Sequence, residues 1–494
     1  MDVKVMENNS VGRSLKQKTV TSMIWKLLER FAVQGIAFIV SIVIARILDA
    51  GDYGVMSILT VFTSLASIFV HSGLNTALIQ RNDVTENDFS TVFWTSALIA
   101  LVLYLLLFFC APWIAALYEL PELVPLLRVI GVILFFYAIN SIQIAKVTRE
   151  LKFKYIFVSN LVAGLLSGVV GIAMAINNFG VWALVWQQLS NAILICLVML
   201  VTARLKIHLH FSVERFKVMF NFGGKLMLAQ LINNIKMDLS TMLIGGKYST
   251  DALGVFNRGK QFPQFVISCI DTAMNSVLLP VYSRAQSEPE RLKQMMRRAI
   301  KTCSAIVVPI MIGMCMLAEP IVVVLLTEKW LPCVPYLQIC CLAFAIRPIH
   351  TANLQALSAT GRSGIYAGIE IVKLVITWAV LAVALLCFDS LIAVAIGDAL
   401  VLFGTLYINV APNKKYLKYS LLEQLRDILP SILISLVMAV AMYLVGLLEL
   451  SLYLDLFLQF IVGFATYMVL LATLQKKEFM YLLNTALSLV KRRR

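Results

Sequence analysis

The sequence predicts an all-α polytopic membrane protein with about fourteen transmembrane helices, arranged as two parallel six-helix repeats and two further C-terminal helices. Three observations predict it. The 494 residues are 60% hydrophobic and 14% charged, with a mean hydropathy of +0.86, whereas soluble domains are nearer half apolar and a quarter charged. Apolar runs of the ~20 residues needed to cross the hydrocarbon recur from end to end. Basic residues mark alternate connections between those runs in one unbroken phase. Helices are implied because lipid cannot satisfy open backbone groups. The runs also lack the short alternating segments of a membrane barrel.

In chain order, spans 1–6 cover 22–46, 53–72, 89–116, 123–145, 155–176 and 180–203. Spans 7–12 cover 219–245, 255–283, 299–327, 333–358, 364–388 and 391–410, and spans 13–14 cover 428–448 and 452–473. This divides the chain into a cytoplasmic N-terminal segment (1–21), an N-lobe (22–210), a C-lobe (211–411), spans 13–14 (412–475) and a basic cytoplasmic tail (476–494). No cleavable signal peptide is expected, because 1–21 is polar and basic and the following run is too long for a signal core.

With the N-terminus inside, the inner connections carry Lys146, Arg149, Lys152 and Lys154, then Arg204, Lys206, Arg215 and Lys217. Further on they carry Arg284, Arg291, Lys293, Arg297 and Arg298, then Lys414, Lys415, Lys418 and Arg426. The outer connections carry Lys247 and Lys329 beside Glu119, Glu122, Asp251, Asp389 and Glu449. This bias places both termini in the cytoplasm and supports an even number of spans. It also assigns the net charge of +15 to topology, so no nucleic-acid partner is expected. The nine cysteines sit in apolar runs or one cluster without metal-ligand spacing, and no metal is expected.

An offset of 200 aligns Tyr53-Gly54-Val55 with Leu253-Gly254-Val255, Gln34 with Asn234, Ser41 with Thr241 and Asn75 with Asn275. Near 210, Pro125 meets Pro335 and Leu127 meets Leu337. The ordered series reads as a duplication of a six-helix unit, both copies in one orientation. Parallel repeats of this kind mark transporters, with the substrate path at the repeat interface.

Corresponding spans of the two copies carry polar faces at helical spacing. Span 2 has Ser57, Thr60, Ser64, Ser67, His71 and Asn75; span 8 has Asn257, Lys260, Gln264, Ile267, Asp271 and Asn275. Span 7 has Gln230, Asn234, Asp238 and Thr241, and span 1 has Lys26, Arg30, Gln34 and Ser41. Close helix packing accounts for Ser57, Ser64 and Ser67. Charges at a helix centre cost at least ~2.5–3.5 kcal/mol and face protein or water, so a cavity between the copies is expected. Arg347, followed by Pro348 in the middle of span 10, is a further candidate for an anion or a structural ion pair. His350 reads as a packing residue, and Glu370 and Lys373 as an i, i+3 pair.

Enzymatic chemistry finds little support. There is no P-loop and no H-E-x-x-H, and with short connections nothing could hold a saccharide acceptor for a polymerase or ligase. The chain is expected to move a solute, not to transform it, and to need no cofactor.

Several stretches suggest a family. They are Ala45-Arg46-Ile47-Leu48-Asp49-Ala50-Gly51-Asp52-Tyr53-Gly54, Gly73-Leu74-Asn75-Thr76-Ala77-Leu78-Ile79-Gln80 and Arg149-Glu150-Leu151-Lys152-Phe153-Lys154. Leu279-Pro280-Val281-Tyr282-Ser283-Arg284 and Ala359-Thr360-Gly361-Arg362 complete the set. Together they resemble the polysaccharide-transporter branch of the multidrug/oligosaccharidyl-lipid/polysaccharide exporter superfamily, over roughly 15–475. Within it the chain looks most like flippases for repeat units of colanic-acid and teichuronic-acid type.

The resemblance implies two lobes in a V, alternately open to each side of the bacterial cytoplasmic membrane. It implies a cargo of undecaprenyl-pyrophosphate-linked oligosaccharide for surface polysaccharide, with a polysaccharide polymerase and glycosyltransferases as neighbours. A cationic cavity suits a pyrophosphate. Its expected lining is Lys26, Arg30, Gln34, Ser57, Thr60, His71, Asn75, Gln230, Asn234, Lys260, Gln264, Asn275 and Arg347. Asp238 and Asp271 are candidates for a coupling H+ or Na+. The alternative is a cation-coupled multidrug exporter of the same superfamily, for which a net acidic cavity would be expected.

Overall fold

The computed structural model describes residues 32–80, 84–203, 211–388, 390–448, 450–480 and 483–484. Among these residues the structure is helical, with no strand. The chain is a multi-pass helical membrane protein. Among the described residues eleven helices are long and apolar enough to cross a membrane, or twelve if one bent pair forms a single span. Within those residues length and apolarity alone do not confirm the expected fourteen. Span 1 is seen only as α1 (Ala32–Ile47). Span 7 is α8 (Val213–Lys247), 35 residues long but diluted by the polar residues of its face.

The chain packs as two compact units, 1–254 and 255–494. The first holds α1, α2 (Ala50–Gln80), α3 (Glu86–Leu117), α4 (Leu123–Ile130), α5 (Ile133–Arg149), α6 (Phe153–Ile176), α7 (Val181–Ala203), α8 and the start of α9 (Thr250–Ser283). Here α2 lies along α8 and α5, and α6 along α7. Small residues let α6 approach: Ser159, Ala163, Ser167, Gly168, Gly171 and Ala175 are buried. A Cβ on Gly168 would lie 2.6 Å from Val40 of α1, and one on Gly171 would lie 3.0 Å from Gln187 of α7. Helix association in lipid depends on such contacts because the hydrophobic effect is absent. Leu98, Leu105, Phe109 and Trp113 of α3 are exposed, as an outward, lipid-facing side requires.

Closer still is a crossing between the first turns of α2 and α9. A Cβ on Gly54 would lie 1.9 Å from the Thr250 carbonyl oxygen, and one on Gly254 1.8 Å from that of Ala50. The two contacts are one contact repeated at an offset of 200.

The second unit continues with α10 (Pro289–Met316), α11 (Ala318–Leu326), a 3-10 turn (Glu328–Cys333), α12 (Val334–Phe344), α13 (Arg347–Ala359), α14 (Ser363–Cys387), α15 (Leu391–Leu417), α16 (Leu421–Gly446) and α17 (Leu452–Leu474). Span 10 is not one straight helix. It bends by 43° between Glu328–Phe344 and Arg347–Ala359. Pro348 lacks a backbone N–H and disfavours helical geometry at Arg347, so the helix restarts there.

Spans 13 and 14, α16 and α17, pack together, and α16 also lies along α10. A charged anchor fixes α16 at its start. Ser420 and Glu423 form a capping box. Asp427, whose side chain is 2% exposed, receives Arg297 Nε at 2.7 Å and Lys301 Nζ at 3.3 Å. The Tyr419 hydroxyl also donates to Asp427, at 2.7 Å. Burial, reinforced by that bond, pushes the Tyr419 phenol up from its ordinary pKa.

Candidate functional site

Each unit carries its own polar face. In the first, the α2 face is closed locally. The hydroxyls of Ser57, Thr60, Ser64 and Ser67 donate to carbonyls of their own helix at 2.7–2.9 Å. Such back-bonding satisfies a hydroxyl in lipid without a partner helix. One contact crosses: the Ser64 hydroxyl also lies 2.9 Å from Asp238 Oδ2 of α8. Further along α2, the His71 ring sits 5.0 Å from that of Tyr137, and the Ser141 hydroxyl donates to Asn75 Oδ1 at 3.3 Å. Gln230 is exposed, and Asn234 and Gln34 are half-buried. Lys26 and Arg30 lie outside the described residues.

The α9 face in the second unit is held by charge. Lys260 Nζ contacts Asp398 Oδ2 of α15 at 3.1 Å. Arg347 Nε donates to Asp271 Oδ2 at 3.1 Å, and the Thr351 hydroxyl to Asp271 Oδ1 at 2.6 Å. Gln355 Nε2 donates to Asn275 Oδ1 at 2.8 Å, and Gln264 lies half-buried on the same face. Both ion pairs are partly open: Arg347 is 33% exposed and Asp271 17%, Lys260 27% and Asp398 26%. A partly exposed guanidinium against one carboxylate keeps donors that face outward, so the pair can exchange partners.

The structure thus joins Arg347 and Asp271, two residues that the sequence reading assigns to separate roles. The pair is possible because the break at Pro348 puts Arg347 at the head of α13, with Thr351 one turn on. Sequence reasoning missed Asp398 and Thr351 as partners. The signal for Asp398 was a lone carboxylate in span 12, which in a membrane needs a partner. The expected Glu370–Lys373 pair is present at 2.7 Å. His350 packs as expected, with Nε2 3.1 Å from the Leu402 carbonyl and Nδ1 against Asn409.

Within the second unit, an apolar cavity of about 400 Å³ opens among α10, α11, α16 and α17, lined by Pro309, Ile310, Met438, Phe464 and Tyr467 among others. Spans 13 and 14 therefore build a groove against α10 and α11.

Polar and charged faces along apolar helices of membrane-crossing length, with partly open ion pairs, are features of a multi-pass membrane protein that handles polar groups within the bilayer. The chain belongs to the polysaccharide biosynthesis protein family, which matches residues 43–335. It is 22% identical to the succinoglycan biosynthesis transport protein ExoT of Rhizobium meliloti over 395 residues, 79% of this chain and 80% of that protein. It is 26% identical to the teichuronic acid biosynthesis protein TuaB of Bacillus subtilis over 307 residues, 61% of this chain and 63% of that one. In fold it is similar to the lipid II flippase MurJ in an inward closed conformation, with a TM-score of 0.76 at 14% identity, covering 93% of this chain and 99% of the other. An inward-facing multidrug resistance transporter of the MATE family aligns less well, at 0.58 and 16% identity over 80% of this chain and 99% of the other.

Proposed function

We propose that this protein flips undecaprenyl-pyrophosphate-linked oligosaccharide units from the inner to the outer leaflet of a bacterial cytoplasmic membrane, for surface polysaccharide assembly. The observation that carries the reading is family membership over 43–335, with a relative named as a transport protein of succinoglycan biosynthesis aligned over 79% of the chain. Both termini lie in the cytoplasm, and the protein transports without catalysing a covalent step.

The paired charges supply a way to bind and release an anion. A pyrophosphate arriving at Arg347 replaces Asp271 as its partner. It gains charge-assisted hydrogen bonds that a guanidinium can make in pairs. Asp271 keeps the Thr351 hydroxyl, but its charge loses its cation. A proton or sodium ion taken up there restores neutrality, so cargo and ion binding are linked through one carboxylate. Lys260 and Asp398 offer the same exchange. The hydroxyls of Ser57 and Thr60, the His71 imidazole and the amides of Asn75, Gln230 and Asn234 present hydrogen-bonding groups for sugar hydroxyls. Asp238 is a second ion candidate.

The test is deletion in the native host, followed by analysis of lipid-linked glycans. Loss of a surface polysaccharide, with its lipid-linked unit retained in the inner leaflet, is the expected outcome. Normal glycans with heightened sensitivity to cationic dyes would replace this reading with multidrug export.

A further inference from the structure

The basic residues at the start of α10 do more than set topology. Arg297, Arg298, Lys301 and Lys477 line a pocket of about 350 Å³ with Gln294, Thr302 and Glu478. Asp427 neutralises part of this charge through Arg297 and Lys301. Four cations still face two carboxylates. Arg297 and Lys301 keep exposed side chains, at 46% and 34%.

The pocket stands at the foot of the apolar groove. Arg298 and Thr302 of the pocket lie on the same face of α10 as Ala305, Ile306, Pro309 and Gly313 of the groove, in steps of three and four residues. The far wall changes in the same order, from Lys477 and Glu478 in the pocket to Leu471 in the groove. Charge therefore gives way to purely apolar lining within about one helical turn. Along α10 the apolar wall runs from Ala305 to Leu317, roughly 18 Å at 1.5 Å per residue. That is close to one leaflet, about half of a ~30 Å hydrocarbon core.

We propose that this is a binding site for an anionic glycerophospholipid, with its phosphate among Arg297, Arg298, Lys301 and Lys477 and an acyl chain against α10 and α17. Basic pockets beside membrane helices hold anionic headgroups in this way. None of the pocket's residues belongs to the polar faces of α2, α8 and α9, so the site is separate from the one proposed for cargo. It lies in the cytoplasmic leaflet in the orientation proposed above, but binding itself does not depend on that orientation or on the transport reading. A lipid here joins α10 to the end of α17, at the foot of the span 13–14 groove.

The test uses the full chain, purified in detergent and delipidated, with native mass spectrometry to measure retained lipid. Phosphatidylglycerol, phosphatidylcholine with the same acyl chains, and undecaprenyl phosphate are offered in turn. Phosphatidylglycerol is expected to bind, with phosphatidylcholine at least tenfold weaker. Arg298→Gln with Lys477→Gln is expected to weaken phosphatidylglycerol about thirtyfold, at roughly one kcal/mol per removed charge. These two residues leave the Asp427 anchor intact, and an unchanged unfolding temperature without lipid confirms folding. Ala305→Phe, which fills the groove, is expected to weaken the same lipid with the cations in place. Equal binding of the two phospholipids, or wild-type binding by the double variant, overturns the proposal. So does a double variant that loses undecaprenyl phosphate but keeps phosphatidylglycerol, because the pocket would then serve the cargo lipid.

Discussion

The faces of α2 and α9 occupy equivalent places 200 residues apart, yet they are held by different physics. On α2, Ser57, Thr60, Ser64 and Ser67 bond their own helix. On α9, Lys260 and Asp271 reach to other helices through ion pairs with Asp398 and Arg347. Thr60 of one face corresponds to Lys260 of the other, and His71 to Asp271. The difference teaches that a duplicated helix can keep its packing contacts while its polar face diverges from neutral to charged. The neutral face costs little to keep in lipid, because its hydroxyls are satisfied within the helix. The charged face is stable only while each charge has a partner, which makes it the side where a change of partner has consequences.

The comparison breaks first where the helices are alike. Gly54→Ala and Gly254→Ala each place a Cβ within 2 Å of a carbonyl oxygen. The first turns of α2 and α9 must then separate, at a cost of about 3 kcal/mol. Thermal unfolding of the purified variants should show large and nearly equal losses, and complementation should fail for both. Unequal losses would mean that the two halves of the crossing are not equivalent.

The charged face comes next. Arg347→Leu leaves Asp271 with the Thr351 hydroxyl as its remaining mapped contact. It should destabilise by about 2 kcal/mol, less than for a fully buried pair because both groups are partly exposed. Arg347→Leu combined with Asp271→Leu should recover much of that stability while transport stays abolished. Recovered transport in the double variant would remove Arg347 and Asp271 from the proposed exchange.

On the neutral face the effects shrink. Ser64→Ala removes the contact with Asp238 and should cost about 1 kcal/mol, with transport reduced if Asp238 then binds its ion differently. Ser57→Ala removes a bond within one helix and should change stability by less than about 0.5 kcal/mol, with near-normal polysaccharide at the surface. A large defect from Ser57→Ala would show that α2 binds cargo tightly, and the contrast with α9 would fall.

Much of this was legible in the sequence. Apolar length and the basic loops pointed to the helical membrane class, and the offset of 200 aligned Gly54 with Gly254 without indicating that the two helix starts meet there. The polar faces were visible because helical spacing is a local property. The partners were not: Asp398 lies 138 residues from Lys260 and Arg347 lies 76 from Asp271, and periodicity carries no such distance. The bend in span 10 was hidden for another reason. Pro348 was noticed beside Arg347, but a proline in an apolar run allows either a kink or a restart, and packing decides between them. α8 shows the reverse limit: its polar residues made the face readable and lowered the apolarity by which a span is recognised.

The reciprocal crossing also bears on how the chain can evolve. Each glycine faces the backbone of the other helix, so a change at one cannot be absorbed by the helix that carries it. Gly54 and Gly254 are thereby tied to each other, held in step by the carbonyls of Thr250 and Ala50.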